Sequence, residues 1–161
     1  MRQFIGGFIL GIFLVGIAFG MFSAVQQGAI DQFIPAQGGV GQPRQDDVWM
    51  ISRMVAAEAR GEPFDGQVAV AAVIANRIRD PRFPPTVNGV IYQPLAFEPI
   101  LNGSFWNVNP SSEHVRAARL ALNGWDPTGG ATFFWNPATA TSRWIWSRTV
   151  TSRIGRHVFG F

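Results

Sequence analysis

The sequence predicts an α+β chain, a mostly helical domain with a small antiparallel sheet, preceded by an N-terminal membrane-inserting helix. Three observations predict it. Phe4 to Val25 carries no charge, two stretches between Asp46 and Ile78 place apolar residues at helical spacing, and short aromatic runs near the C terminus lie between turn formers.

The uncharged run spans about 22 residues, enough at roughly 1.5 Å each to cross a hydrocarbon core of about 30 Å. Arg2 precedes it and Asp31 is the next charge, so the N terminus is expected to stay inside and the remainder to be exported. Residues 1 to 25 are read as a transmembrane anchor, the alternative being a signal peptide cut at Ala18-Phe19-Gly20, after which the domain would be secreted. Gly7 with Gly11, and Gly16 with Gly20, form two small-xxx-small pairs through which a homodimer or another membrane protein could pack. Residues 26 to 45, rich in Gln and Gly, are read as a linker, and 46 to 161 as the domain.

Asp46 and Asp47 suit a helix start, and that helix runs to about Arg60, ended by Gly61. Glu62 to Gly66 reads as a turn. Gln67 to Ile78 is apolar almost all round, as expected of a buried central helix. Asp80 to Pro85 cannot continue it, and a short helix or turn follows through Val87 to Tyr92. Gln93 to Asn109 is irregular and aromatic, the kind of segment that lines binding sites. Asn109 to Ser112 starts a helix closed by Gly124. Ala131 to Trp135 reads as a strand, with Trp144 to Trp146 and His157 to Phe161 as its partners and Gly155 in a turn.

Within the first helix, Val48, Ile51, Val55, Glu58 and Glu62 follow at spacings of three and four, which puts a carboxylate on the core stripe. Desolvation raises the pKa of such a group and prepares it to donate a proton near neutral pH. The competing reading is a half-solvated Glu58 paired with Arg60 or another arginine.

Composition narrows the chemistry. The chain has no Cys and only two His, His114 and His157, far apart, so neither a thiolate nucleophile nor a metal site is expected, and no cofactor is implied. All thirteen basic residues are Arg, which excludes lysine Schiff-base chemistry. A net charge of +3 is too small and scattered to argue for nucleic acid. Six Trp and fourteen Phe suit an aromatic core or a groove that stacks on sugar rings.

Glu58-Ala59-Arg60-Gly61-Glu62-Pro63, then Gly66 to Val73 and Asn76-Arg77, resemble the spore cortex-lytic cell-wall hydrolases of the SleB and CwlJ type. The likeness continues through Gly89 to Pro94, Ala121 to Thr128 and Asn136-Pro137, and ends in Ser142 to Arg148 and Ile154 to Phe159. The resemblance implies a lysozyme-like domain that cuts peptidoglycan glycan strands next to muramic residues, in spore cortex during germination. It places the family's catalytic glutamate on Glu58 and implies a lytic transglycosylase. Two departures stand out: no separate peptidoglycan-binding module lies between the apolar run and the domain, and Phe133-Phe134-Trp135 stands where relatives often have tyrosines.

A lytic transglycosylase needs one acid, because the C6 hydroxyl of the muramic sugar replaces the second carboxylate of ordinary glycosidases. Two alternatives remain: a hydrolytic muramidase using Glu58 with Glu62, and a membrane-anchored peptidoglycan-binding protein without turnover. Asp65, Glu98 and Asp126 are read as surface or turn residues, and His157 as a structural hydrogen-bond former. For the glycan groove the expected contacts are Tyr92, Gln93, Phe97, Trp125, Asn136 and Trp146, each of which has a core or structural role as its rival.

Overall fold

The structure is a computed structural model that describes residues 43 to 161. The expected membrane helix, its glycine pairs, the Ala18-Phe19-Gly20 site and the linker up to residue 42 lie outside the described residues. Among the described residues no helix is long and apolar enough to cross a membrane.

Three helices carry most of the core. α1, Gln45–Glu58, places Asp46 and Asp47 in its first turn, where they complement the helix dipole. The N-cap itself is Arg44, whose guanidinium pairs with Asp47 at 3.0 Å. Val48, Ile51 and Val55 are buried as the spacing predicts. Gly61, at φ 75°, then turns the chain in a conformation that side chains with a Cβ resist.

α2, Phe64–Arg79, is the central helix, buried on every side from Val68 to Ala75. It begins three residues before the expected Gln67, because Pro63 serves as the N-cap and its carbonyl accepts the Gln67 N–H at 3.1 Å. α3, Val87–Ile91, is capped by Thr86, whose hydroxyl accepts the Gly89 N–H at 3.0 Å. The segment expected to be irregular holds a single turn of helix, α4, Glu98–Leu101, and a 3-10 turn, Ser104–Asn107. α5, Ser112–Leu122, starts in a capping box: the Ser111 hydroxyl accepts the His114 N–H, and His114 Nδ1 accepts the Ser111 N–H. Its small residues Ala117, Ala118 and Ala121 are buried in close packing with α1 and α2.

The sheet is antiparallel and three-stranded. β1, Phe133–Trp135, and β2, Val150–Ile154, flank β3, His157–Gly160, with Phe134 and Ser152 both opposite Phe159. The expected strand at Trp144 to Trp146 is instead a 3-10 turn, Ile145–Ser147. The free edge of β3 is taken by Val150–Ile154, and the Ser147 N–H and hydroxyl both close back on the Trp144 carbonyl. Gly155 turns between β2 and β3 at φ 58°, as expected, and a Cβ there would collide with a Glu62 carboxylate oxygen.

Candidate active site

Glu58 is the last residue of α1, at the point where the buried stripe leaves the core, and it is half-buried. Burial raises its pKa from 4.5 to about 7, the negative charge of Glu98 pushes the same way, and the positive charge of Arg77 opposes. Among the described residues no hydrogen bond holds the charged form, so this carboxyl exchanges a proton near neutrality. Glu98 opens α4 and is exposed, as a surface residue should be, yet its charge reaches Glu58.

Arg77 is the residue that sequence reasoning missed. It lies on α2, is 5% exposed, and donates Nε–H to the Thr132 carbonyl at 2.7 Å. The rings of Phe97, Phe83 and Phe133 stand 5.1, 5.3 and 5.4 Å from its guanidinium carbon. Burial pulls its pKa down to about 10, and Glu58 acts against that. A buried cation acting on a half-buried acid, with no direct ion pair among the described residues, offsets part of the rise that burial gives the Glu58 pKa. The signal available in the sequence was Arg77 itself, the one charge in the nearly apolar run Gln67 to Ile78.

Glu62 does not join this site. Its side chain is 1% exposed, and its two oxygens accept the Arg156 backbone N–H at 2.9 Å and Nε–H at 2.6 Å. The same guanidinium donates to the Arg60 carbonyl at 2.7 Å. Burial alone would raise the Glu62 pKa, but the Arg156 hydrogen bonds outweigh it and hold the carboxyl below its ordinary value. The muramidase reading with Glu58 and Glu62 therefore loses its second carboxylate, which is committed to clamping the end of α1 onto the β2–β3 turn.

The expected groove residues divide. Gln93 lines a cavity of about 300 Å³ together with Arg77, Leu95, Phe133, Phe134 and Trp144. Tyr92 is exposed and stacks on Trp106 at 6.2 Å, so both rings present open surface. Phe97 is corrected: at 3% exposure it belongs to the core, where its ring supports Arg77. Trp125 is 48% exposed at the end of α5, beside Asp126, which binds Asn76 and the turn at Thr128 as a turn former should. Asn136 shapes a turn by accepting the Ala138 N–H. Trp146 is exposed, donates to the Ala140 carbonyl and meets Trp135 edge-on. Neither Trp125, Asn136 nor Trp146 lines the cavity beside Arg77. His157 is buried against Phe134, and among the described residues its Nδ1 has no hydrogen-bond partner.

A larger hollow of about 450 Å³ lies between the start of α1, the end of α2 and α3, lined by Arg44, Ala75, Ile78, Val87 and Leu122. None of the groups acting on Glu58 lines it.

Leu95, on the cavity rim, is the one described residue other than glycine with positive φ, at 62°, and it is 82% exposed. Asparagine adopts this conformation more readily than leucine. Leu95→Asn is therefore expected to raise stability by about 1 kcal/mol in thermal or urea unfolding.

Comparison with known proteins places this arrangement. The sequence model of the family described as Cell Wall Hydrolase matches residues 61–160. A spore cortex-lytic enzyme of Halalkalibacterium halodurans is 53% identical over 114 residues, 71% of this chain and 34% of that protein. That of Oceanobacillus iheyensis is 49% identical over 115 residues, 71% of this chain and 41% of that protein. The chain thus spans less than half the length of these relatives. Among solved structures, the catalytic domain of the germination-specific lytic transglycosylase SleB from Bacillus anthracis superposes with a TM-score of 0.70 at 46% identity, covering 75% of this chain and 98% of that one. Helical core, small antiparallel sheet and sequence agree: the chain belongs to the cell wall hydrolase family.

Proposed function

We propose that residues 46 to 161 form a peptidoglycan lytic transglycosylase that cuts glycan strands at muramic residues, with spore cortex as its wall and germination as its setting. The observation that carries this reading is Glu58, a partly sheltered carboxyl with a pKa of about 7 and, among the described residues, no hydrogen bond to the charged form. The names of its relatives point the same way.

In this mechanism the Glu58 carboxyl donates its proton to the glycosidic oxygen as the bond to C1 of the muramic sugar breaks. The resulting carboxylate then takes the proton of the same sugar's C6 hydroxyl as that oxygen closes onto C1. Glu58 ends protonated and ready for another turn. Release of soluble muropeptides from purified cortex and from vegetative wall tests the proposal. Fragments from cortex are the expected result, whereas binding to either wall with no fragments would leave a binding protein instead.

One observation favours a second reading, since Glu98 brings a negative charge within reach of Glu58. A hydrolytic muramidase would use it to activate water. Glu98→Gln separates the two. If Glu98 only tunes the acid, turnover persists, and the pH at which activity fails on the alkaline side moves down, because removing a like charge lowers the Glu58 pKa. If Glu98 is the base, turnover falls roughly 10²-fold or more at every pH.

Residues 4 to 25 would anchor the domain on the exported side of a membrane, and the paired glycines would pack a second copy or a membrane partner. These proposals rest on the sequence. Resistance of the chain to carbonate extraction tests the anchor, and crosslinking in the membrane tests the dimer.

A further inference from the structure

The cavity beside Arg77 has a chemistry that the acid at Glu58 does not explain. Arg77 is almost wholly buried, and among the described residues its one side-chain hydrogen bond runs from Nε to Thr132, which leaves the two terminal nitrogens without a partner. Gln93, on the facing loop, buries Oε1 with no hydrogen-bond partner. Both residues line the same space of about 300 Å³, whose other walls include Phe133, Phe134, Trp144 and Ala96. Guanidinium donors, one buried acceptor and aromatic walls therefore share a small hollow.

Gln93 Oε1 is a buried acceptor without a partner, which is costly, and the terminal Arg77 nitrogens open onto the same space, so a ligand that donates to the first and accepts from the second is favoured. A carboxylate would suit Arg77 but could meet Gln93 only if its amide turned over to present Nε2, and it gives nothing apolar to the rings. A plain sugar hydroxyl can serve either group but gives nothing apolar to the rings. A secondary amide fits all three features: its carbonyl accepts from Arg77, its N–H donates to Gln93 Oε1, and its carbon substituent lies against the aromatic walls.

We propose that the Arg77–Gln93 cavity is a subsite that recognises a secondary amide of the glycan strand and thereby sets which bond lies at Glu58. This deepens the proposed transglycosylase and rests on it for the identity of the strand. Peptidoglycan offers such an amide in two places, the acetamido group on a sugar ring and the amide joining the lactyl group to the stem peptide. The charge of Arg77 also acts on Glu58, which couples the group that reads the amide electrostatically to the proton donor. Gln93 carries no charge and is not among the groups that shift Glu58, so its substitution should leave the Glu58 pKa in place.

The test is equilibrium binding, followed by NMR on the full chain, for wild type and Gln93→Leu. The probes are the N-acetylglucosamine tetramer against cellotetraose, which differ in the acetamido groups, and muramyl dipeptide against N-acetylmuramic acid, which differ in the lactyl amide. The expected result is that wild type prefers the amide-bearing member of one pair by about tenfold or more, and that Gln93→Leu abolishes that preference while melting like wild type. Preference within the first pair assigns the acetamido group, and within the second the lactyl amide. Equal binding within both pairs, no binding of any probe, or a preference that survives Gln93→Leu overturns the subsite. Fragment release from whole peptidoglycan is scored separately: a wild type that cuts wall but shows no preference keeps its function and loses the subsite. One that shows the preference but cuts nothing keeps the subsite and loses the function.

Discussion

Glu58→Gln is expected to lower muropeptide release roughly 10³-fold or more, because a single carboxyl serves both proton transfers and the amide can perform neither. The same substitution is expected to stabilise the fold at alkaline pH. The Glu58 pKa is about 7 in the folded chain against 4.5 for an ordinary glutamate. Between those values the folded state keeps a proton that the unfolded chain has released, so stability falls as pH rises through this window. Each pH unit in the window is worth about 1.4 kcal/mol, which makes the cost of holding the ionised acid on the order of 3 to 4 kcal/mol above pH 7. The substituted amide does not ionise. The variant should therefore unfold at higher urea than wild type at pH 8 and at about the same urea at pH 4. A glutamate exposed to solvent would give no such difference, so paired denaturation curves test the burial independently of activity.

Arg156→Ala should produce the largest loss of stability, about 3 kcal/mol at neutral pH. It leaves the Glu62 carboxylate almost fully buried with only the Arg156 backbone N–H to hold it, and removes the link to the Arg60 carbonyl. The pH dependence has the opposite sign to that of Glu58. The folded pKa of Glu62 is depressed, so its contribution is present above the ordinary carboxylate pKa and is lost as pH falls through the folded value. The gap between wild type and Arg156→Ala should close in acid, as followed by urea denaturation between pH 7 and pH 3. Glu62→Gln keeps a neutral hydrogen-bond acceptor and is expected to cost less. A gap that is small at pH 7 would mean that the clamp contributes little.

What the sequence made legible was mostly local. The spacing of Val48, Ile51 and Val55 marked the buried face of α1 and singled out Glu58 as a carboxyl on it, and the alanine-rich run marked α2 as central. The Phe133–Trp135 strand, its pairing with the C-terminal segment and the Gly155 turn follow from residue types that favour strands and positive φ. The rest depends on residues far apart in the chain. Glu62 and Arg156 are 94 positions apart, and only the fold joins them. Phe97 read as a groove aromatic because an irregular segment hides which rings turn inward, and its inward turn serves Arg77, a cation from another element. Trp144 to Trp146 has the composition of a strand, but β3 has two edges and the second is filled by Val150–Ile154. Glu98 looked like a surface carboxylate, and it is one; its reach to Glu58 exists only after α4 folds against α1.

The central claim is that one carboxyl suffices, with the substrate's own hydroxyl as nucleophile. Digestion of purified cortex peptidoglycan in ¹⁸O-labelled water, followed by mass spectrometry of the released muropeptides, tests it most directly. Anhydromuramic ends carrying no ¹⁸O, absent when Glu58→Gln replaces wild type, are the predicted result. Reducing ends carrying ¹⁸O would contradict it, showing that water is the nucleophile and that a second carboxylate, with Glu98 as the candidate whose charge reaches Glu58, shares the work.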